Sequence, residues 1–294
     1  MRKRSRRALG EVSFSAMVSR PRALWRLITF LLILPPCMLV QAVALLVSPA
    51  FARRFPLWFH RQVLRLFAIR VQRRGRMSRT QPTLFICNHI SYLDIEVLGS
   101  VIKGSFVAKS EVRTWPVFGW LARLQRSVFV ERRVHRTATA RDEMSQRLEA
   151  GDSLILFAEG TSSDGNRVLP FKSALFAAAA IRPKGQDLTV QPVSIAYSHL
   201  DGMPMGRFLR PYFAWYGDMD LAGHIWDACG LGRVTVTVEF HPPVTLAELG
   251  SRKALAEHCQ AAVERGVTEA LSGRRAPRDL RGSEPQAVGQ TSSV

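Results

Sequence analysis

Short apolar runs separated by longer mixed stretches dominate the chain from Thr83 onward. Each run has the length and residue types of a buried strand, and each intervening stretch is long enough for a helix. This alternation predicts an α/β domain, with a central, mostly buried sheet flanked by helices. The predicted strands are Thr83 to Cys87, Phe106 to Ala108, Val128 to Val130, Leu154 to Phe157, Val190 to Ile195 and Val234 to Phe240.

A different pattern occupies residues 27–47, which carry no charged side chain. Their length is close to the roughly 20 residues that a helix needs to cross a bilayer. Pro35 and Pro36 stand at the centre, however, and a proline pair is expected to end or kink a helix and leave two short arms. We therefore expect a re-entrant or interfacial helical hairpin, with a crossing helix as the alternative. Both make this segment an N-terminal hydrophobic helical membrane anchor.

The net charge bears on the choice of partner. The chain has 41 Lys and Arg against 23 Asp and Glu, a formal charge of +18. Such an excess requires an acidic partner, which is nucleic acid, anionic lipid or a phosphorylated substrate. Basic residues on both sides of residues 27–47 favour an anionic membrane surface and argue against nucleic acid. They are Arg2, Lys3, Arg4, Arg6, Arg7, Arg20, Arg22, Arg26, Arg53, Arg54, Arg61 and Arg65.

These patterns divide the chain into four parts. We expect a basic segment over residues 1–26, a membrane-anchoring helical region over 27–75, the α/β domain over 76–271 and a disordered tail over 272–294. A capping box, Thr245 to Glu248, predicts the start of the last helix. The four cysteines lack the paired spacing of metal or disulfide sites, which predicts reduced thiols and no bound metal.

His89 and Asp94 lie in the turn that follows the first predicted strand, and two interpretations fit them. Ser91 and Asp94 have the spacing of a helix-capping box, in which Asp94 accepts a backbone N–H and His89 is a polar turn residue. In the second, Asp94 orients the imidazole of His89, which takes a proton from a hydroxyl. No Gly-x-Ser-x-Gly elbow surrounds Ser91, so the substrate must supply that hydroxyl.

Three further features have both a plain and a functional interpretation. The strand ending at Phe157 runs into a glycine-bearing loop, where Glu159 stands at the strand end and Gly160 lets a ligand approach the backbone. A capped turn explains the same loop. Lys172 precedes a run of small residues, and Arg132 ends another predicted strand. Each of these cations is also consistent with a solvated surface position.

In this order and spacing, the elements resemble the glycerolipid acyltransferase family, also called the lysophosphatidic acid acyltransferase family. The likeness covers Leu84 to Ile195. Asn88 to Asp94 matches the His-x4-Asp motif of that family, Val128 to Arg132 its second block, Phe157 to Ser163 its third and Val190 to Val193 its proline-bearing fourth.

The resemblance implies roles for these residues. His89 is expected to be the general base on a lysolipid hydroxyl, Asp94 to orient it, and the hydroxyl to attack an acyl thioester carried by acyl carrier protein or coenzyme A. No cofactor and no covalent acyl-enzyme are needed. With the anchor, this predicts an enzyme of the bacterial cytoplasmic (inner) membrane whose catalytic domain faces the cytoplasm. The expected substrate-binding residues are Arg132, whose family counterpart meets the acceptor's phosphate, and Lys109, Glu159, Gly160, Thr161 and Lys172.

The third block departs from the Phe-Pro-Glu-Gly-Thr-Arg-Ser of many members that act on lysophosphatidic acid, because it has Ala158 and Ser162 in place of the proline and arginine. A missing cation removes a charge-assisted contact to phosphate. The residues around 108–112 and 161–167 are similar to the bacterial branch that acylates lyso-ornithine lipid, a phosphorus-free aminolipid with a carboxylate. That acceptor is our expectation, and lysophosphatidic acid is the alternative.

A hypothesis from another class is a non-enzymatic, basic protein that binds membranes or nucleic acid. In it, His89 and Asp94 would only cap a helix. It accounts for the charge and for none of the four ordered blocks.

Overall fold

The computed structural model describes residues 17–130 and 137–273. The N-terminal basic segment up to residue 16 and the predicted tail from residue 274 lie outside this range. The helices are α1 (Arg20–Val47), α2 (Pro49–Ala52), α3 (Phe55–Leu66), α4 (Leu93–Gly99), α5 (Phe118–Leu124), α6 (Thr137–Glu149), α7 (Leu221–Gly230), α8 (Leu246–Leu249) and α9 (Arg252–Ser272). The strands are β1 (Ile69–Gly75), β2 (Thr83–Cys87), β3 (Ser105–Lys109), β4 (Val128–Val130), β5 (Leu154–Phe157), β6 (Thr189–Leu200), β7 (Met203–Pro204) and β8 (Val234–Phe240).

The described strands form one sheet in the order β1-β8-β6-β2-β5-β3-β4, with β7 paired to β6. Strand β2 pairs in parallel with both β5 and β6, and β3 pairs in parallel with both β5 and β4. These five strands therefore point the same way, and their carboxyl ends lie at one edge of the sheet, where open α/β sheets bind ligands. The α/β architecture with a central sheet and flanking helices is confirmed.

Strand β2 shows why the apolar runs were visible in the sequence. All five of its residues are buried, as expected for a parallel strand covered on both faces. Phe85 and Cys87 belong to the hydrophobic cluster on one face of the sheet, and Leu84 and Ile86 belong to the cluster on the other. The alternation of side chains along a strand thus divides one short run between two cores.

Strand β1 was not predicted, because its sequence, IRVQRRG, does not form an apolar run. It pairs in parallel with β8 at the edge of the sheet. Along β1, partly buried side chains alternate with exposed ones, which include Arg70 and Arg73. Charged side chains on an edge strand are common, since they discourage pairing with other chains. The sheet consequently begins inside the region that the sequence pattern assigned to the membrane anchor.

The predicted capping box at the start of the last helical region is present. The Thr245 side chain accepts the backbone N–H of Glu248, and the Glu248 carboxylate accepts that of Thr245. The short helix α8 then stops at Gly250, whose φ of +74° is left-handed. A second helix, α9, starts at Arg252 and continues through Gly266.

The expected break at Pro35 and Pro36 was wrong, because α1 is one helix of 28 residues with both prolines inside it. The fixed φ of proline lies in the helical range, so the pair removes two N–H donors without forcing a turn. Apolar helices tolerate such losses better than the rule for soluble helices suggests. The chain reverses later, after Val47, and brings the rings of Phe30 and Phe67 to within 5.8 Å of each other.

Helix α1 is attached to the rest of the protein at two places. Near its start, buried Arg26 donates to the carbonyls of Cys229 and Leu231, at 3.0 and 2.8 Å. These carbonyls lie at the carboxyl end of α7, where backbone acceptors have no partner within the helix and attract a cation. Further along, Gln41 donates to the carbonyls of Ala52 and Leu124. The helix therefore lies along the α/β domain.

The remaining surface of α1 is apolar and exposed. In the described part of the chain α1 is the one helix that is long and apolar enough to cross a membrane. Its exposed large hydrophobic side chains are Leu24, Trp25, Ile28, Leu31, Leu32, Ile33, Leu39, Val40, Val43, Leu46 and Val47. This surface is consistent with membrane association.

Replacing Arg26 tests the attachment of α1. We expect Arg26→Ala to lower the free energy of unfolding by about 2 kcal/mol and the midpoint temperature by about 4–8 °C, because two carbonyls of α7 lose a charged donor. Thermal unfolding in detergent measures the change. Exposed Arg20 on the same helix supplies the control, and Arg20→Ala should match the wild type. Equal midpoints for both variants would contradict the attachment.

Candidate active site

The candidate site begins where β2 ends. The side chain of Asn88 donates to the carbonyl of Ile195 at 3.0 Å and accepts the N–H of the same residue at 2.8 Å. Ile195 lies in β6, so one amide side chain takes the place of a backbone partner after β2 has ended. This pair of bonds fixes the start of the turn that carries His89.

His89 and Asp94 are in direct contact. The Nδ1 atom of His89 lies 2.9 Å from Oδ2 of Asp94. The same oxygen accepts the backbone N–H groups of Ile90 and Ser91, at 2.6 and 3.0 Å. The bond from Ser91 is one half of the predicted capping box, but the Ser91 hydroxyl lies nearest the N–H of Leu93 instead of that of Asp94. Asp94 therefore both orients the histidine and caps the turn.

The imidazole of His89 is held on one side and open on the other. Its ring stacks on that of Phe157, with 4.0 Å between ring centroids. The side chain is 22% exposed, and no group in the described part of the chain makes a hydrogen bond to Nε2. A histidine whose Nδ1 donates to a carboxylate presents Nε2 as a proton acceptor. This geometry is suited to removing a proton from a substrate hydroxyl.

The loop after β5 holds the backbone of His89 from both sides. Oε1 of Glu159 accepts the backbone N–H of His89 at 3.2 Å, and the backbone N–H of Ser163 donates to the carbonyl of His89 at 2.9 Å. Glu159 is only 1% exposed, so its side chain is buried against the turn that carries His89. The first and third sequence blocks thus meet in one structural unit.

The other predicted binding residues lie around this loop and along the same edge. Gly160 has a φ of +67°, and a Cβ atom there would approach Nζ of Lys172 to 3.0 Å. Thr161 is exposed on the loop. Lys109 ends strand β3, whose carboxyl end lies at the same edge. Arg132 lies outside the described residues.

Comparison with known proteins identifies the family of the chain. A family model described as Acyltransferase matches residues 68–196. The chain is 48% identical to the "Lyso-ornithine lipid O-acyltransferase" of Brucella abortus over 241 residues, which cover 81% of this chain and 90% of that protein. The chain belongs to the glycerolipid acyltransferase family. It is therefore an acyltransferase, which excludes the hypothesis of a non-enzymatic basic protein.

Two further comparisons extend this result. The "Lyso-ornithine lipid O-acyltransferase" of Rhizobium meliloti is 40% identical over 240 residues, which cover 80% of this chain and 82% of that protein. The crystal structure of the 1-acyl-sn-glycerophosphate (LPA) acyltransferase PlsC from Thermotoga maritima has a TM-score of 0.63 at 24% identity and covers 91% of this chain and all of that one. At that identity the likeness shows the shared acyltransferase fold.

Sequence reasoning missed two groups that complete the site. The hydroxyl of Tyr197 donates to Oδ1 of Asp94 at 2.9 Å, from the middle of β6. The backbone N–H of Trp215 donates to the carbonyl of Ile90, and the backbone carbonyl of Trp215 accepts the hydroxyl of Ser162 at 2.5 Å. No local motif marks either residue, because both contacts join distant parts of the chain.

Burial raises the pKa of the Glu159 carboxyl to about 8, although hydrogen bonds from the backbone of His89 and Leu169 act to lower it. The folded protein then keeps a proton that the unfolded chain, with an ordinary value of 4.5, has lost. The free energy of unfolding should therefore decrease as the pH rises from 4.5 to about 8 and then level off.

Glu159→Gln should remove this pH dependence, because the amide does not ionise. We expect the wild type to lose up to about 1.4 kcal/mol per pH unit relative to the variant within that interval. Chemical unfolding at a series of pH values measures the difference. Exposed Glu257 is the matched control, and Glu257→Gln should retain the slope of the wild type. Parallel curves for Glu159→Gln and the wild type would refute the assignment.

Proposed function

We propose that this protein is an O-acyltransferase that moves a fatty acyl group from an acyl thioester to the hydroxyl of lyso-ornithine lipid, forming ornithine lipid. The observation that carries the proposal is the His89–Asp94 pair at the carboxyl edge of the sheet, with Nε2 of His89 open to a substrate. The likeness to the lyso-ornithine lipid O-acyltransferases of Brucella abortus and Rhizobium meliloti supports the acceptor.

In the proposed reaction, Nε2 of His89 takes the proton of the lipid hydroxyl while Nδ1–H remains bonded to Asp94. The hydroxyl oxygen attacks the thioester carbonyl and forms the new C–O bond. The C–S bond then breaks, and the departing sulfur receives the proton from the imidazolium of His89. Asp94 stabilises that imidazolium and keeps the ring in the required tautomer.

The side chains near His89 support direct transfer without an acyl-enzyme. Ser91 is fully buried and its hydroxyl lies against a backbone N–H of its own turn. Cys87 is also buried, and burial together with the charge of Asp94 raises the pKa of its thiol well above the usual value. A thiol that keeps its proton is a poor nucleophile. The substrate hydroxyl is then the nucleophile.

Ser162 supports an acceptor without phosphate. Many relatives acting on lysophosphatidic acid have an arginine there, whereas the hydroxyl of Ser162 donates to the carbonyl of Trp215. The position therefore serves the loop structure and supplies no cation. Lys172, beside Gly160, and Lys109, at the end of β3, are suited to a single carboxylate such as that of the ornithine headgroup. The same lysines keep lysophosphatidic acid as the second candidate.

The donor and the location follow from the same proposal. The acyl group arrives as a thioester of acyl carrier protein or coenzyme A, and no metal or cofactor takes part. The exposed apolar surface of α1 associates with the anionic bacterial inner membrane, and the catalytic domain faces the cytoplasm. The described cysteines are all free thiols, which is consistent with a reducing compartment.

Replacing His89 tests the general base. We expect His89→Ala to lower kcat by about 10² to 10⁴, the usual contribution of a positioned base. The measurement is transfer of a labelled acyl group from acyl carrier protein to lyso-ornithine lipid in detergent, with vesicle binding as the check on membrane association. His258 is exposed on α9, and His258→Ala should behave as the wild type. Near-normal turnover by His89→Ala would exclude this mechanism.

Competition between acceptors tests the substrate. Offered equal amounts of both lysolipids with one acyl donor, the wild type should form ornithine lipid in excess of phosphatidic acid by at least about tenfold, the effect of one charge-assisted contact. Ser162→Arg should shift the ratio toward phosphatidic acid, because it restores a cation. Ser162→Thr keeps the hydroxyl and serves as the control. Formation of phosphatidic acid alone by the wild type would reverse the assignment.

A further inference from the structure

The two oxygens of the Asp94 carboxylate accept different numbers of hydrogen bonds. Oδ2 accepts three donors, from Nδ1 of His89 and the backbone of Ile90 and Ser91. Oδ1 has a single hydrogen bond within the described residues, from the hydroxyl of Tyr197. Asp94 has no exposed surface, so water does not replace that donor. Tyr197 alone therefore determines how the second oxygen is satisfied.

Tyr197 is itself held firmly in place. It lies in β6 and is 1% exposed, and its ring stacks on that of Phe213 with 6.0 Å between centroids. The side chain of Asn88 ties β6 to the catalytic turn at Ile195, two residues earlier. Burial, and then the charge and hydrogen bond of Asp94, raise the pKa of the Tyr197 hydroxyl well above its usual value. The hydroxyl therefore stays protonated and remains a donor.

We propose that Tyr197 is a positioning residue that holds Oδ1 of Asp94 and disperses the carboxylate charge, which fixes the orientation of the carboxylate and the strength of its bond to His89. The inference rests on the proposed function, in which His89 is the base. A carboxylate with fewer donors holds an imidazolium more tightly. Without Tyr197, Asp94 would bind the imidazolium of the catalytic cycle more tightly, and the carboxylate would be less firmly oriented.

Other titratable groups surround the turn without reaching Oδ1. From the loop after β5, Glu159 bonds to the backbone of His89, and from β2 the thiol of Cys87 stays protonated. From α7, His224 bonds to the hydroxyl of Tyr92. The side chain of Lys172 lies next to Gly160. Because Glu159 has a pKa of about 8, its ionisation falls on the basic side of neutral pH and is separable from an acidic limb.

The test is the pH dependence of acyl transfer by Tyr197→Phe, which keeps the ring and removes the hydroxyl. We expect the acidic limb of the kcat profile to move up by about 0.5–1 pH unit and kcat at neutral pH to fall about 5- to 20-fold, with both KM values unchanged. Tyr92→Phe removes a neighbouring hydroxyl that bonds to His224, and its limb should stay at the wild-type position. In an Asp94→Asn background, Tyr197→Phe should produce no further shift.

A second variant keeps the test decisive if Tyr197→Phe does not fold. Difluorotyrosine incorporated at position 197 retains the ring and the hydroxyl but is a stronger donor, so the acidic limb should move to lower pH. If the acidic limb of the kcat profile stays at the wild-type pH in both Tyr197 variants while His89→Ala is inactive, the role of Tyr197 alone is overturned. Activity of His89→Ala near that of the wild type would instead remove the proposed function itself.

Discussion

A fully buried carboxylate that needs four hydrogen-bond donors organises the turn between β2 and α4. Burying the charge of Asp94 is unfavourable unless its oxygens are satisfied. The donors come from the histidine, from two backbone groups of the turn and from a tyrosine in β6. The end of β2, the start of α4 and the middle of β6 must therefore keep fixed relative positions. Helix capping and histidine orientation, two competing explanations for the sequence, are consequences of this one constraint.

The sequence alone predicted the strands and contacts that depend on residues close together along the chain. His89 and Asp94 are close along the chain, and the buried strand β2 has the bounds that its apolar run indicates. Tyr197 lies 103 positions from Asp94, and Trp215 lies 53 positions from Ser162, so neither contact leaves a local pattern. Strand β1 was hidden by its arginines. The break at Pro35 was a wrong prediction because a rule for soluble helices was applied to an apolar one.

The parallel strands explain why separate sequence blocks act together. The first three blocks follow or include the carboxyl ends of β2, β4 and β5, which lie at one edge of the sheet, and the fourth block lies in β6 beside β2. The loop after β5 forms hydrogen bonds with the backbone of His89, so the third block has a structural role that does not depend on bound substrate. Within the same loop, the hydroxyl of Ser162 donates to the carbonyl of Trp215.

Helix α1 is fastened to the catalytic domain through Arg26 near one end and Gln41 near the other. Two attachments leave little freedom for the domain to tilt or swing relative to the helix. The depth at which the leucine-rich surface settles in a bilayer then fixes the height of His89 above the lipid headgroups. Membrane thickness and composition would consequently act on this enzyme by changing the distance between His89 and the lipid headgroups.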